Sequence, residues 1–208
     1  MKEWTDIGDG LKQRKYESDK QYLKEQAQKL KRRPEWAQNA SDGLRFRLWQ
    51  RLALHSDYIP KTGSVLCLGA RLGGETEAFI QHGYFAVGLD INPGKSNKHV
   101  LYGDFHELQF ADNSIDIIYT NSLDHVLDMD KVISEVVRTL RSGGIFMTEN
   151  KGGTHEPGFK GAKSDGYDCY EWLSLQHLID YITARGFELH HRYRFKGFTP
   201  WGIMYRKA

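Results

Sequence analysis

A glycine-rich stretch, Val65–Glu75, carries the most informative chemistry in this sequence: VLCLGARLGGE, an apolar run followed by glycines and a helix start. Glycine lets a ligand approach the main chain without a Cβ in the way. Asp90 ends the next apolar run, near the separation of about 20 residues expected for a carboxylate that binds the two hydroxyl groups of a ribose. Two alternatives stay open: the glycines end a strand for structural reasons, or Asp90 caps the turn through Asn92–Gly94.

The residue at position 71 decides between nucleoside ligands. A dinucleotide site has a glycine there, because the pyrophosphate comes close to the main chain, and the arginine side chain obstructs that approach. The sequence therefore disfavours NAD. A ligand without phosphates needs only the ribose carboxylate, main-chain contacts and an adenine slot, and S-adenosylmethionine fits that description.

Short apolar runs alternating with helical segments must position these residues. We predict strands at 64–69, 85–90, 99–102, 115–120 and 143–150, a final hairpin of 187–195 and 199–206, and helices at 74–82, 129–141 and 173–185. This alternation is typical of a parallel sheet covered on both faces. We expect an α/β fold over residues 63–208: a Rossmann-like, mostly parallel seven-stranded sheet with helices on both faces and a C-terminal antiparallel hairpin.

Residues 1–62 are predicted to form an N-terminal helical appendage. Residues 1–15 are polar and lack apolar periodicity, so we expect them to be frayed or ordered only by packing. A helical pattern then runs to Pro34, which ends it, and a second helix, capped by Ser41 or Asp42, follows.

The apolar stripes of these two helices must be buried against another part of the protein. We expect residues 18–62 and the glycine-rich loop 151–170 to close together over the bound ligand and exclude water. Packing elsewhere on the sheet is the alternative.

The region 63–150 resembles the class I S-adenosylmethionine-dependent methyltransferases. The resemblance rests on the glycine loop and on further stretches in the family's order: Gly88–Ile91, Tyr102–Phe105, Asp112–Val126 and Leu140–Ile145. It implies that Asp90 binds ribose and that Asp104 accepts from the adenine amino group. The cofactor site implied by the resemblance consists of Gly69, Ala70, Arg71, Gly73, Asp90, Ile91, Asp104, Phe105, Asn121, Ser122 and Leu123.

Two positions depart from the family's pattern. The family commonly has an acid where this chain has Cys67 and a glycine where it has Arg71. Arg71 either points away from the sulfonium, whose positive charge it would repel at short range, or forms a salt bridge with a carboxylate of the substrate or cofactor.

The catalytic candidates are His125, Lys151 and His155. The resemblance implies methyl transfer by in-line displacement, in which a general base is needed only if the acceptor must lose a proton. His125 follows the fourth strand and is the first candidate base. Lys151 and His155 lie in the next loop, where they would contact an anionic or hydroxyl-bearing acceptor. The alternatives are that His125 caps a helix or packs on the cofactor, and that both loop residues are solvated. We predict no metal site, because the adjacent pair at 155 and 156 makes no ligand set.

The acceptor class is predicted only coarsely. Asn121–Asp124 lacks the two prolines and the aromatic residue of amino-directed nucleic-acid methyltransferases, which favours a small or medium-sized acceptor. Tyr170 and Trp172 are candidates for the walls of an acceptor pocket, and the alternative is that both are core anchors.

Composition limits the other function classes. The chain has 208 residues, 39% of them hydrophobic, enough for one substantial core, and a formal net charge of +2, too small to require a nucleic-acid or membrane partner. No apolar run of about 18 residues or signal peptide is visible, so we expect a cytoplasmic protein. Its two cysteines predict no structural disulfide. Two alternatives remain: a non-catalytic nucleoside-binding module, and a nucleic-acid methyltransferase that uses the basic segment Lys24–Arg33.

Overall fold

A computed structural model describes residues 3–32, 34–94, 97–156, 167–194 and 201–208, and within these ranges seven strands form the main sheet. Their spatial order is β5 (Val100–Tyr102), β4 (Phe85–Asp90), β3 (Ser64–Leu68), β6 (Ile115–Thr120), β7 (Leu140–Asn150), β10 (Trp201–Lys207) and β9 (Phe187–Arg194). The first five pair in parallel, and β10 is antiparallel to both β7 and β9. The predicted α/β fold with its C-terminal antiparallel strands is confirmed.

Two apolar cores cover the two faces of the sheet, because successive side chains of a strand point to opposite faces. In β3, Leu66 and Leu68 belong to one core and Val65 and Cys67 to the other. The first core receives side chains from α1 (Asp19–Arg32), α4 (Met129–Thr139) and α5 (Leu175–Thr183), and the second from α2 (Pro34–Leu54) and α3 (Gly74–Gln81).

The N-terminal segment is ordered by packing. β1 (Trp4–Gly8) and β2 (Leu11–Arg14) form a hairpin, and β8 (Tyr170–Trp172) pairs with β2 to complete a small antiparallel sheet. The turn residues 8–10 all have positive φ, which suits their glycine, aspartate and glycine types. Leu11 is fully buried in the first core. Of the two expectations for this segment, order through packing is the one observed; the strand that stabilises the hairpin lies far along the chain, so the sequence did not show it.

The second helix begins earlier than predicted. It starts at Pro34, because proline is favourable in the first turn of a helix, and not at Ser41 or Asp42. The Ser41 hydroxyl instead accepts a hydrogen bond from the backbone N–H of Gly74, the first residue of α3, at 3.0 Å. A Cβ at Gly74 would lie 2.2 Å from the Ser41 carbonyl oxygen. This glycine therefore allows α2 to pack against the start of α3, beside the glycine loop.

Some predicted features lie partly or wholly outside the described residues: positions 157–166 of the loop 151–170, the last residue of the predicted strand 187–195, the turn 196–198 that joins the two hairpin strands, and the start of the last strand. In the part of the chain that the structure describes, no helix is both long enough and apolar enough to cross a membrane. Cys67 and Cys169 are free and buried.

Candidate functional site

The glycine loop after β3 adopts a conformation that its glycines permit. Gly69 and Gly73 have φ of 72° and 89°, and Arg71 between them has φ of 44°. A Cβ at Gly69 would lie 2.8 Å from the hydroxyl oxygen of Ser122, at the end of β6. The loop therefore passes close to the segment that follows the neighbouring strand.

Asp90, at the end of β4, holds both the loop and the following turn. Its Oδ2 accepts from the Arg71 N–H at 2.8 Å, and its Oδ1 accepts from the Asn92 N–H at 2.7 Å. Burial raises the pKa of Asp90, and these two backbone hydrogen bonds oppose that rise. Each carboxylate oxygen has two lone pairs, so Asp90 can cap the turn and still accept from two ribose hydroxyls.

Helix α1 covers a cavity of about 60 Å³ above the loop. The cavity is lined by Tyr22, Gln26, Gly69, Arg71, Asp90, Ile91, Asn92, Phe105, Ser122 and His125. Hydrogen bonds from its side chains to main-chain carbonyls hold the helix there: the Tyr22 hydroxyl donates to the His125 carbonyl at 2.9 Å, and the Gln26 side-chain amide donates to the Tyr167 carbonyl at 2.9 Å. The Asn92 amide donates to the Ala27 carbonyl at 2.8 Å. This volume is below the roughly 300–1,000 Å³ that is usual for sites that bind small molecules.

Asp104 lies on the other side of Tyr22, in a polar cavity of about 830 Å³ between the N-terminal hairpin, α1 and the start of α4. Its Oδ1 accepts from His106 Nδ1 at 2.6 Å. His106 Nε2 accepts from the N–H groups of Leu127 and Asp128, so the ring is neutral with its proton on Nδ1. Burial opposes ionisation of Asp104, but the hydrogen bonds from His106 outweigh it and hold the pKa of that carboxyl below its usual value.

A third cavity, of about 160 Å³, lies between α2 and the glycine loop, and we call it the α2 cavity. Arg71 lines this cavity as well as the one under α1, and Arg47, Glu75 and Asn121 are among its other walls. Glu75 is 4% exposed, and burial raises its pKa to about 8. The cavity thus brings two guanidinium groups and a buried carboxyl to one place.

A four-residue charge cluster, Asp124, His125, Lys151 and Asp168, lies where β6 and β7 end. Lys151 Nζ is 2.7 Å from Asp124 Oδ2 and 2.8 Å from Asp168 Oδ1. His125 Nε2 is 3.8 Å from Asp124 Oδ1, and its Nδ1 is 3.7 Å from Asp168 Oδ1. Burial disfavours the charge on Lys151, but both carboxylates outweigh it and raise the lysine pKa. Asp124, His125 and Asp168 are close enough to hold a metal ion, yet the Lys151 ammonium already lies between the carboxylates.

A buried ion pair fixes α2 to the sheet beneath these cavities. Arg51 Nη1 donates to Glu149 Oε2, and both side chains are 3% exposed. Burial raises the pKa of Glu149, and the charge of Arg51 opposes that rise. Breaking such a buried pair is strongly destabilising, so the pair ties α2 to the sheet.

Most of the predicted cofactor residues lie around the cavity under α1 or the α2 cavity. The cavity under α1 is lined by Gly69, Arg71, Asp90, Ile91, Phe105 and Ser122, and the α2 cavity by Asn121. Ala70 and Gly73 lie in the loop itself, where the Gly73 N–H donates to the Ala70 carbonyl at 2.7 Å. Leu123 is buried in the first core. Asp104 faces the larger neighbouring cavity.

The remaining predicted residues have different surroundings. His155 is exposed, and its ring contacts the Thr154 hydroxyl. Tyr170 and Trp172 are buried in the first core, the position expected of core anchors. The Tyr170 hydroxyl accepts from the Met129 N–H at 3.2 Å, and Trp172 Nε1 donates to the Lys151 carbonyl at 3.1 Å. Contact of these three residues with an acceptor stays a prediction.

Several residues of the site escaped the sequence analysis. They are Tyr22, Gln26, Arg47, Glu75, Asn92, His106, Asp124 and Asp168. Asp124 and Glu75 had a visible signal, because each is an acid inside or next to a recognised motif. Tyr22 and Gln26 lie in the segment 18–62 that is expected to cover the ligand, but their individual roles had no signal, since their partners are main-chain carbonyls of distant segments.

Comparison with known proteins shows which proteins this chain is similar to. Residues 66–148 match the family described as "Methyltransferase domain". Sterol 24-C-methyltransferase ERG6B from Gibberella zeae is 27% identical over 67% of this chain, which spans 45% of that relative's length. The chain thus spans about half the length of this curated relative.

Solved structures share the fold. The chain superposes on the 1,6-didemethyltoxoflavin-N1-methyltransferase of Burkholderia thailandensis, solved with 1,6-didemethyltoxoflavin and S-adenosylhomocysteine, with a TM-score of 0.69 at 14% identity, covering 99% of both chains. An S-adenosylmethionine-dependent methyltransferase from Mesorhizobium loti gives a TM-score of 0.59 at 14% identity, over 74% of this chain and 96% of its own. The match over residues 66–148 and the shared fold make this chain similar to S-adenosylmethionine-dependent methyltransferases.

Proposed function

We propose that the protein transfers a methyl group from S-adenosylmethionine to a small acceptor that loses a proton in the reaction. One observation carries this proposal: the cavity under α1 joins the glycine loop, Asp90 and His125 in one place. Bound there, the cofactor supplies an electrophilic methyl group on a sulfonium. Asp90 binds the ribose hydroxyls, and the main chain of the glycine loop contacts the cofactor. Asp104 accepts a hydrogen bond from the adenine amino group once Tyr22 moves aside.

The charge cluster supports His125 as the general base. With neutral His125, the two carboxylates and the Lys151 ammonium leave one net negative charge. A proton taken from the acceptor makes the cluster neutral, and a carboxylate lies within 4 Å of each ring nitrogen to stabilise the imidazolium. This arrangement suits an acceptor with an O–H or N–H group, because a carbon or sulfur nucleophile without a labile proton needs no base.

We propose that α1 is a lid, as the sequence predicts for residues 18–62. Its hydrogen bonds to His125 and Tyr167 connect it to the acceptor side of the site, so its closure couples cofactor binding to the arrangement of the base. The residues 1–62 as a separate unit, the partnership with the loop 151–170 and a cytoplasmic location stay predictions.

Calorimetric titration tests the cofactor site. S-adenosylmethionine and S-adenosylhomocysteine are expected to bind and NAD is not, because Arg71 obstructs a pyrophosphate. Asp90→Ala should weaken binding by roughly 1–3 kcal/mol, since the ribose hydroxyls lose a charged acceptor. Asp57→Asn, on an exposed carboxyl, is the matched control. Tight binding of NAD without binding of S-adenosylmethionine would refute the proposal.

Turnover is tested with labelled S-adenosylmethionine in a metabolite extract, with mass analysis of the labelled product. His125→Asn should lower kcat by roughly 10²–10⁴-fold while the cofactor Kd stays unchanged, because the base acts only on the acceptor. A chain that binds the cofactor yet labels nothing above background would instead be a non-catalytic binding module.

A further inference from the structure

The two departures from the family's first motif lie next to a carboxyl that the motif does not include. Cys67 occupies the strand position where the family has an acid, and it is fully buried. Burial, and then the charge of the neighbouring Glu75 carboxyl, raise the pKa of the Cys67 thiol. Glu75 is in the first turn of α3. A carboxyl therefore stands close to the position that lacks one, and it comes from the helix instead of the strand.

The second departure, Arg71, connects the two cavities. Arg71 lines both the cavity above Asp90 and the α2 cavity, which Glu75 and Arg47 also line. A ligand whose ribose binds Asp90 and which extends past Arg71 enters the α2 cavity. The groups it meets there are two guanidiniums, the Asn121 amide and a carboxyl that is 4% exposed. They form a built polar site that complements a ligand with both a negative and a positive group.

This inference rests on the proposed function. We propose that Glu75 supplies the carboxylate missing at position 67 and that, with Arg47 and Arg71, it binds the amino-acid end of the cofactor, the ammonium on Glu75 and the carboxylate on the two arginines. Arg71 then acts at the amino-acid end, where its charge is favourable, and not at the sulfonium, where it would be repulsive.

The electrostatics of the cavity agree with this assignment. Without a ligand, burial raises the pKa of Glu75 to about 8, so the carboxyl holds a proton at pH 7. A ligand ammonium favours the ionised form, because an opposite charge in hydrogen-bond contact lowers the pKa of a carboxyl. Binding of the zwitterion at pH 7 is therefore expected to release a proton, which calorimetry in buffers of different ionisation enthalpy measures.

Two adenosine thioethers serve as probes: S-adenosylhomocysteine, which has the amino-acid group, and 5′-methylthioadenosine, which lacks it. Glu75→Gln should weaken the binding of S-adenosylhomocysteine by about tenfold or more, the effect of losing a hydrogen bond to a charged group. The affinity for methylthioadenosine should stay unchanged, and the proton release on binding of S-adenosylhomocysteine should disappear. Arg47→Met should show the same selectivity. The matched controls are Glu77→Gln and Arg45→Met, an exposed pair on the same two helices.

The outcomes separate this inference from the function on which it rests. Affinity of Glu75→Gln for S-adenosylhomocysteine within twofold of the wild type would overturn the inference. Equal weakening of both probes would also overturn it, because the loss would then concern the adenosine cavity or the fold. Failure of the wild-type protein to bind either probe would overturn the proposed function, and the inference with it. Normal binding of methylthioadenosine to Glu75→Gln shows that the variant is folded.

Discussion

Two helices cover the candidate site, and they are held in different ways. α2 is fixed by the buried pair Arg51 and Glu149 and by the contact of Ser41 with the first residue of α3. α1 is held by side-chain amide and hydroxyl contacts with main-chain carbonyls around the cavity. Breaking a buried ion pair strongly destabilises a protein, whereas a single neutral hydrogen bond contributes only about 0.5–1.5 kcal/mol to the free energy of unfolding. The difference agrees with the proposal that α1 is a lid, whereas α2 is expected to stay in place as a wall of the site.

The largest expected effect tests α2 as a wall. Arg51→Met leaves the Glu149 carboxyl buried without its partner, so we expect the free energy of unfolding to fall by about 3–5 kcal/mol in urea denaturation. Arg45→Met, in the exposed pair with Glu77, should cost at most about 1 kcal/mol. The double variant Arg51→Met, Glu149→Leu should recover most of the loss. A loss below 1 kcal/mol in Arg51→Met would contradict a fixed α2.

The second effect concerns Glu75, in the cavity between that wall and the glycine loop. Its folded pKa of about 8 lies above the ordinary value of 4.5, so between these values the folded state holds a proton that the unfolded state has lost. Stability from this group is therefore present at low pH and declines as pH rises, by at most about 1.4 kcal/mol per pH unit. Glu75→Gln should remove this slope.

Urea denaturation at pH 5.5, 6.5 and 7.5 measures that slope as the difference between variant and wild type. Glu77→Gln, on the exposed side of the same helix, should follow the wild type at all three values. A difference between Glu75→Gln and wild type that does not grow with pH would show that the carboxyl is ionised in the folded protein.

The smallest expected effect tests α1 as a cover. Tyr22→Phe removes the hydrogen bond to the His125 carbonyl and should lower stability by only about 0.5–1.5 kcal/mol. Amides of α1 should nevertheless exchange faster, and S-adenosylhomocysteine should associate faster, because opening of the helix becomes easier. Hydrogen exchange and stopped-flow binding measure both. Unchanged exchange in α1, in the variant and on saturation with cofactor, would rule out the lid.

The sequence predicts the parallel sheet well because each strand there is a buried apolar run that ends in a recognisable turn. Asp90 and the glycine loop were found for the same reason: chain connectivity alone brings the ends of neighbouring strands together. The partners of His125 were not found, because Asp168 reaches it from a segment beyond a long loop. The hairpin before α1 was missed since its stabilising strand, β8, carries no periodic pattern in three residues.

The pairing of Leu11 with Trp172 has a consequence for the order of synthesis. At about 5–20 residues per second, β2 waits roughly 10–30 s after its own translation before β8 exists to pair with it. The parallel strands β3 to β7 are made in that interval and have their mutual partners available. The hairpin that precedes α1 is therefore expected to dock late, after the strands that carry the candidate site have paired.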